Sequence, residues 1–412
     1  MSEWLNCLAC HTRYPLNEIR YTCTCGGLLE VSRDNHPSRA VCDARLGART
    51  PIDQSGVWRF REAVLQVDEA VTHPEGGTHL YQRPALSAFA GVNHLHFKHE
   101  GENPTGSFKD RGMTVAVTQA VRLGARAVAC ASTGNTSAAL AAYAAQAGLR
   151  GIVFLPEGKV SLGKLAQTLG YGAECLAIAG DFDDAMRLVQ EACAAENIYL
   201  VNSINPFRIE GQKTIVFELL QDLQWQAPDW IVVPAGNLGN TSAFGKALRE
   251  AHAWGWIDRV PRLLAVQAHG ANPFFRSFSE KFATRHKMRA ETVASAIRIG
   301  DPVSYERARA AINFTNGLVC EVTDTALLIA KRAIDAAGIG CEPASACTLA
   351  GVKQLRESGV IAAQERVVCV LTGHMLKDTE AIVGQFAGVP NLRLPTPVKA
   401  DLSSVIAALT RT

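Results

Sequence analysis

No stretch of the sequence approaches the ~20 uninterrupted apolar residues of a membrane-spanning helix, which argues against a helical membrane protein. Charge of one sign is lacking too: 41 Lys and Arg face 39 Asp and Glu, a net of +2. A nucleic-acid binder or a polybasic membrane-binding protein would carry a clustered basic excess. Charged residues make up only 19% against 48% hydrophobic, so the chain can bury enough surface to fold. Met1-Ser2-Glu3-Trp4 has no basic segment leading into an apolar stretch, and no secretory signal is expected. The expectation is a soluble, cytoplasmic, globular protein without nucleic-acid or membrane partners, long enough at 412 residues for one large or two ordinary domains.

Several catalytic signatures are also missing. No GxGxxG follows a strand pattern, so a nicotinamide-binding turn is absent. Gly239 to Lys246 resembles a phosphate-binding P-loop but has five residues between its glycines, one too many. Neither HExxH nor GxSxG occurs. The grouped histidines His94, His96 and His99 alternate as in a strand and read as half-exposed surface residues.

What is present is a recurring pattern of short apolar strands and helices. Ala127–Cys130, Gly151–Leu155, Glu174–Ala179, Ile198–Val201, Trp230–Val233, Leu263–Gln267 and Val367–Leu371 read as strands. Helices are expected over Thr136–Ala147, closed by Gly148, over Phe182–Ala195 and from about Thr241. Continuous apolar strands alternating with helices indicate parallel α/β sheets, and at this length two sheets with a cleft between them. Ahead of them lie a Cys-rich, turn-rich unit of about 33 residues and a polar connector from Asp34 to about Ile52.

Four segments carry residue types that structure alone does not ask for. Glu102 to Gly112 (ENPTGSFKDRG) is a polar loop opening into a helix at Met113, with Lys109 near the junction. A lysine is electrostatically disfavoured at a helix N-terminus. A solvated loop lysine is one reading; a partly desolvated amine beside positive charge, suited to Schiff-base chemistry, is the other. Ala131 to Ser137 holds Ser132, Thr133, Asn135 and Thr136, more donors than one helix cap needs. Pro234 to Thr241 brackets asparagines with glycines, giving backbone N–H groups a phosphate could use. Leu371-Thr372-Gly373-His374 ends an apolar strand with a hydroxyl, where α/β proteins bind ligands. A reactive lysine, a phosphate nest, an Asn for a ring hydroxyl and a strand-end hydroxyl together describe pyridoxal 5'-phosphate.

At these residues the chain resembles the threonine synthases, fold-type II pyridoxal-phosphate enzymes related to the tryptophan synthase β subunit. Six segments match in order: Gly106–Gly112, Ser132–Thr136, Val201–Thr214 (VNSINPFRIEGQKT), Gly236–Asn240, Glu342–Ser345 and Thr372–His374. The resemblance spans about Leu80 to Asp378, and its third segment is the specific one. It implies two open, mainly parallel α/β domains with the cofactor in the cleft between them, plus the Cys-rich unit. The divisions implied are 1–33 for that unit, 34–79 for a connector packing on the large domain, 80–111 with 209–412 for the large cofactor-binding domain, and 112–208 for the small domain.

It further implies that Lys109 holds the cofactor covalently and then serves as the mobile base. Asn135 would bond the ring hydroxyl, Gly236, Asn237, Leu238, Gly239 and Asn240 would cradle the cofactor phosphate, and Thr372 would face the pyridine nitrogen. Ser132, Thr136, Asn202, Ser203 and Arg208 would bind the phosphate of O-phospho-L-homoserine. The activity implied is a carbon–oxygen lyase making L-threonine from that phosphate ester and water, in a homodimer. A cysteate synthase, a threonine dehydratase and a catalytically silent zinc-binding scaffold are the alternatives; Arg208 with Asn202-Ser203 favours phosphate over the dehydratase. Two positions depart from the family pattern: Met375, where Gly is usual, is expected to narrow the cleft or alter the Thr372 turn, and Leu238 replaces a common Ala.

Most of the twelve cysteines, Cys130, Cys193 and Cys369 among them, sit between apolar residues as small hydrophobes. Cys7-x2-Cys10 and Cys23-x-Cys25 look instead like two thiolate knuckles of a small zinc ribbon, although the CxC half departs from CxxC. A ribbon that has lost its metal, or free cysteines in a packed turn, remain open, and no metal ligand is assigned.

Overall fold

The computed structural model describes residues 3–34, 36–158, 162–392 and 394–410, and its strands form three sheets. First in the chain come β1 (Glu3–Cys7), β2 (Arg13–Pro15) and β3 (Leu29–Arg33). Then follow β4 (Leu80–Tyr81), β5 (His94–His99), β6 (Ala127–Ala131), β7 (Arg150–Pro156), β8 (Glu174–Ile178) and β9 (Tyr199–Leu200). The last are β10 (Trp230–Pro234), β11 (Arg262–Ala268), β12 (Leu318–Val322) and β13 (Arg366–Leu371).

The N-terminal sheet is antiparallel, ordered β2-β1-β3. The large sheet runs β12-β11-β10-β13-β5-β4, parallel except for β4. The small sheet, β8-β7-β6-β9, is all parallel. Parallel sheets must be covered on both faces, and the strand residues divide accordingly. Along β10, Ile231 and Val233 pack with Phe217, Phe244 and Trp256, whereas Trp230 and Val232 pack with Leu327, Ile334 and Leu349. In the small sheet Val128 and Cys130 join one cluster and Ala127, Ala129 and Ala131 the other.

This topology positions the site. In the small sheet the chain leaves β6 for β7 and β8 on one side and returns as β9 on the other, so a crevice opens beyond the end of β6. The same reversal occurs in the large sheet between β10 and β13. The segments that follow β6, β10 and β13 contain Ser132–Asn135, Gly236–Asn240 and Thr372–His374. The polar loops singled out in the sequence therefore lie at the switch points.

Element boundaries moved at three places that matter. The helix expected at Met113 starts at Lys109 (Lys109–Arg122), the one expected at Thr136 starts at Asn135 (Asn135–Gln146), and the one expected near Thr241 starts at Gly239 (Gly239–Ala253). The expectation at Met113 waited for an apolar residue to begin the helix, whereas a first turn needs none; the other two starts lie within two residues of those expected. The histidines differ as well. His94 is exposed and His96 half-buried, but His99 is buried, because β5 lies between β13 and β4 and His99 stacks near His374 with ring centroids 6.4 Å apart. All twelve cysteines are free, Cys130, Cys193 and Cys369 being buried.

Candidate active site

Lys109 is placed by contacts on both sides. Ahead of it, Phe108 N donates to Thr372 O (3.0 Å) and His374 N donates to Gly106 O (2.9 Å), joining its loop to the segment after β13. Behind it, the Lys109–Arg122 helix crosses the Pro206–Gln212 helix through paired glycines. A Cβ on Gly211 would lie 1.7 Å from Arg111 O, and one on Gly112 3.0 Å from Arg208 O. No side chain fits in that crossing, so the two backbones touch. This brings Lys109 near Arg208.

The half-buried Lys109 has no hydrogen-bond partner for Nζ among the described residues; the ammonium lies 4.0 Å from the Phe108 ring centroid. Burial first and the charge of Arg208 second bring its pKa down to about 7, against the opposing pull of Glu342. A lysine poised near neutrality can act as nucleophile and base.

Arg208 is 3% exposed. Its Nη1 donates to Val201 O (3.1 Å), its Nε has no partner, and no carboxylate pairs with it among the described residues. The nearby Glu210 is taken by Arg33, Lys213 and Lys246. Burial, opposed by Cys130, lowers the pKa of Arg208 to about 10. A buried guanidinium without a counter-ion is unfavourable unless an anion arrives.

The Gly236–Asn240 segment forms a turn ahead of the Gly239–Ala253 helix. Leu238 precedes that helix in the left-handed conformation (φ 63°), aiming successive N–H groups the same way. A Cβ on Gly236 would meet Ile297 Cα at 2.9 Å. Asn240 Oδ1, Thr241 Oγ1, Ser304 Oγ and Gln212 Oε1 are buried without partners among the described residues. Asn237 Nδ2 donates to Ser203 Oγ (2.8 Å), tying this turn to the segment after β9.

Thr372 Oγ1 (residue 4% exposed) donates to Glu342 Oε1 (3.1 Å), and Asn135 Nδ2 donates to Glu342 Oε2 (3.0 Å). The Glu342 carboxyl, raised above its ordinary pKa by burial, thus joins the small sheet's loop to the large sheet's. Ser345 Oγ accepts from Thr372 N (2.8 Å) and Gly373 N (3.2 Å), fixing the turn. Glu342 and Ser345 fall in a matching segment but had no assigned role. An acid directly before Pro343, which begins a helix, was the available signal.

The remaining candidates divide in two. Asn202 bonds Ala131 in both directions, Oδ1 accepting from Ala131 N and Nδ2 donating to Ala131 O (3.0 Å each), so it fixes the end of β6. Ser132 Oγ accepts from Gly134 N (3.3 Å), and Thr136 stands half-buried at the start of its helix. Met375 packs over Gly340, where a Cβ would meet its Sδ at 2.8 Å, and the Thr372 turn keeps its bonds to Ser345. Leu238 holds its strained backbone by burying its side chain in the large core.

Pyridoxal phosphate fits these residues. The unpartnered hydroxyl of Thr241 and the N–H groups before it suit a phosphate, and the unpaired neutral-leaning Lys109 suits an aldehyde. Residues 71–373 match the family described as pyridoxal-phosphate dependent enzyme. Threonine synthase of Methanocaldococcus jannaschii is 47% identical over 382 residues, covering 92% of this chain and 93% of that protein. Threonine synthase of Methanosarcina acetivorans is 45% identical over 408 residues, 98% of both chains. The crystal structure of threonine synthase from Escherichia coli shares the fold, with a TM-score of 0.69 at 20% identity over 96% of this chain and 93% of that one. The chain belongs to the pyridoxal-phosphate-dependent enzymes, and among them to the threonine synthases. Its cofactor is pyridoxal phosphate.

Proposed function

We propose that this enzyme converts O-phospho-L-homoserine and water to L-threonine and phosphate, acting on a phosphate ester as a carbon–oxygen lyase. Bound pyridoxal phosphate supplies the electron sink that makes a substrate Cα proton removable. Lys109 Nζ would hold the cofactor and, when free, would remove that proton and then one at Cβ. Its pKa of about 7 lets it both accept and return protons near neutrality. Asn135 and Thr372 orient the ring, with Glu342 holding both side chains in register. Gly236, Asn237, Leu238, Gly239 and Asn240 present backbone donors to the cofactor phosphate.

The observation that carries the substrate assignment is Arg208, a buried guanidinium with no carboxylate. Arg208, Ser132, Thr136 and Ser203 hold the substrate phosphate until it leaves Cγ, and Asn202 sets the strand end that presents them. The large domain (80–111 and 209–412) carries the cofactor phosphate and the small domain (112–208) closes over it, with 1–33 and 34–79 packed against them. A cytoplasmic homodimer completes the reading.

Steady-state kinetics of Arg208→Lys test it. A guanidinium forks onto two phosphate oxygens and an ammonium cannot, so each lost charge-assisted bond costs about 1.5–3 kcal/mol of substrate binding. KM for phosphohomoserine rises far more than cofactor affinity falls; unchanged KM and kcat would reject the phosphate clamp.

A further inference from the structure

The four N-terminal cysteines lie outside the site just described. Cys7 Sγ and Cys25 Sγ are 3.6 Å apart, Cys10 Sγ and Cys23 Sγ 3.5 Å, and all four sulfurs lie within 4.8 Å of one another. A disulfide would need about 2.05 Å. Four sulfurs each about 2.3 Å from a tetrahedral ion stand about 3.8 Å from one another. The spacing here is close to that of a tetrahedron.

The backbone is built around the cluster. His11, in the left-handed conformation at φ 60°, donates its N–H to Cys7 O (3.0 Å), and Gly26, at φ 82°, donates to Cys23 O (2.9 Å). Each turn brings its two thiols to the same side. Gly27 then approaches so closely that a Cβ would lie 2.7 Å from Cys7 Sγ and 3.3 Å from Cys25 Sγ. Polar groups surround the sulfurs: Ala9 N donates to Cys7 Sγ (3.4 Å), while Thr12 Oγ1 and Tyr14 Oη stand 3.1 Å from Cys10 Sγ and Cys23 Sγ. Outer donors of this kind accompany thiolate metal ligands.

We propose that Cys7, Cys10, Cys23 and Cys25 bind one Zn²⁺ as a closed, four-thiolate structural site. Four sulfurs fill the coordination sphere and leave no position for a substrate. The ion holds together a sheet that touches both halves of the enzyme. On the large-sheet side, Arg307 and Lys246 donate to Leu29 O and Val31 O, and Arg33 pairs with Glu210 (2.9 Å). On the small-sheet side, Gln119 Nε2 donates to Leu16 O (2.7 Å) and Leu200 N donates to Tyr21 Oη (2.7 Å). Leu200 ends β9 and leads into Asn202 and Ser203. The loop between the two cysteine pairs thus supports the strand that carries the proposed phosphate ligands.

Metal analysis of the full-length holoenzyme, purified without chelator, tests the proposal. We expect about one zinc per chain, lost in Cys10→Ser/Cys23→Ser, and a melting temperature at least ~5 °C lower once zinc is stripped from the wild type. Wild-type enzyme produced with Co²⁺ should show the intense visible absorption of tetrahedral cobalt thiolate, a readout that stands even if the double variant fails to fold. Less than ~0.1 zinc per chain in the wild type, iron in its place, or zinc retained by a folded double variant would overturn the site.

Discussion

Three charged side chains set the chemistry at the scale of single residues. Burial and the positive charge of Arg208 push Lys109 down to about 7, and Glu342 pulls the other way. The neutral amine is the form that captures an aldehyde, so capture of pyridoxal phosphate by the apoenzyme should speed up about tenfold between pH 6 and pH 8. Replacing Arg208 with Met removes the charge that favours the neutral amine, moving the midpoint up in pH. Replacing Glu342 with Gln removes the charge that favours the ammonium and moves it down. Stopped-flow absorbance of capture against pH reads all three, and parallel profiles for wild type and both variants would refute the assigned couplings.

Backbone contact decides the geometry among the helices. The crossing of the Lys109–Arg122 and Pro206–Gln212 helices depends on Gly211, whose missing side chain leaves room for Arg111 O. In Gly211→Ala the helices must separate by an ångström or more. We expect a loss of at least ~2 kcal/mol by denaturant unfolding and weaker cofactor retention, since Lys109 and Arg208 part company. Unchanged stability with normal cofactor content would show that the crossing is loose. The sequence announced most of the parallel strands, because those buried on both faces are continuous apolar runs such as Trp230–Val233, but not β12 (Leu318–Val322), whose run is broken by Glu321. It announced one helix start poorly, because the helix of Lys109 opens with the charged residues Lys109, Asp110 and Arg111 rather than at the apolar Met113. The burial of His99 was hidden too, since alternation does not tell an interior strand from an edge strand.

For the whole molecule, the site is a product of topology. Strand order reverses at β6 in one sheet and between β10 and β13 in the other, and the loops leaving those points carry the proposed ligands. The proposed ligand types stood out in the sequence because Lys, Asn, Thr and Gly stand at positions where structure alone asks for less. What could not be read was which groups pair across the cleft. The Asn135–Glu342–Thr372 bridge and the Asn237–Ser203 link join residues distant in the chain, and the isolation of Arg208 depends on Glu210 being taken by residues as distant as Arg33 and Lys246. The central claim is that these groups process a phosphorylated amino acid into threonine. Incubating the holoenzyme with O-phospho-L-homoserine and following phosphate and amino acids together tests it directly. Equal amounts of phosphate and L-threonine, with neither formed by Lys109→Ala, are predicted; inert phosphohomoserine alongside deamination of threonine to a 2-oxo acid would contradict it.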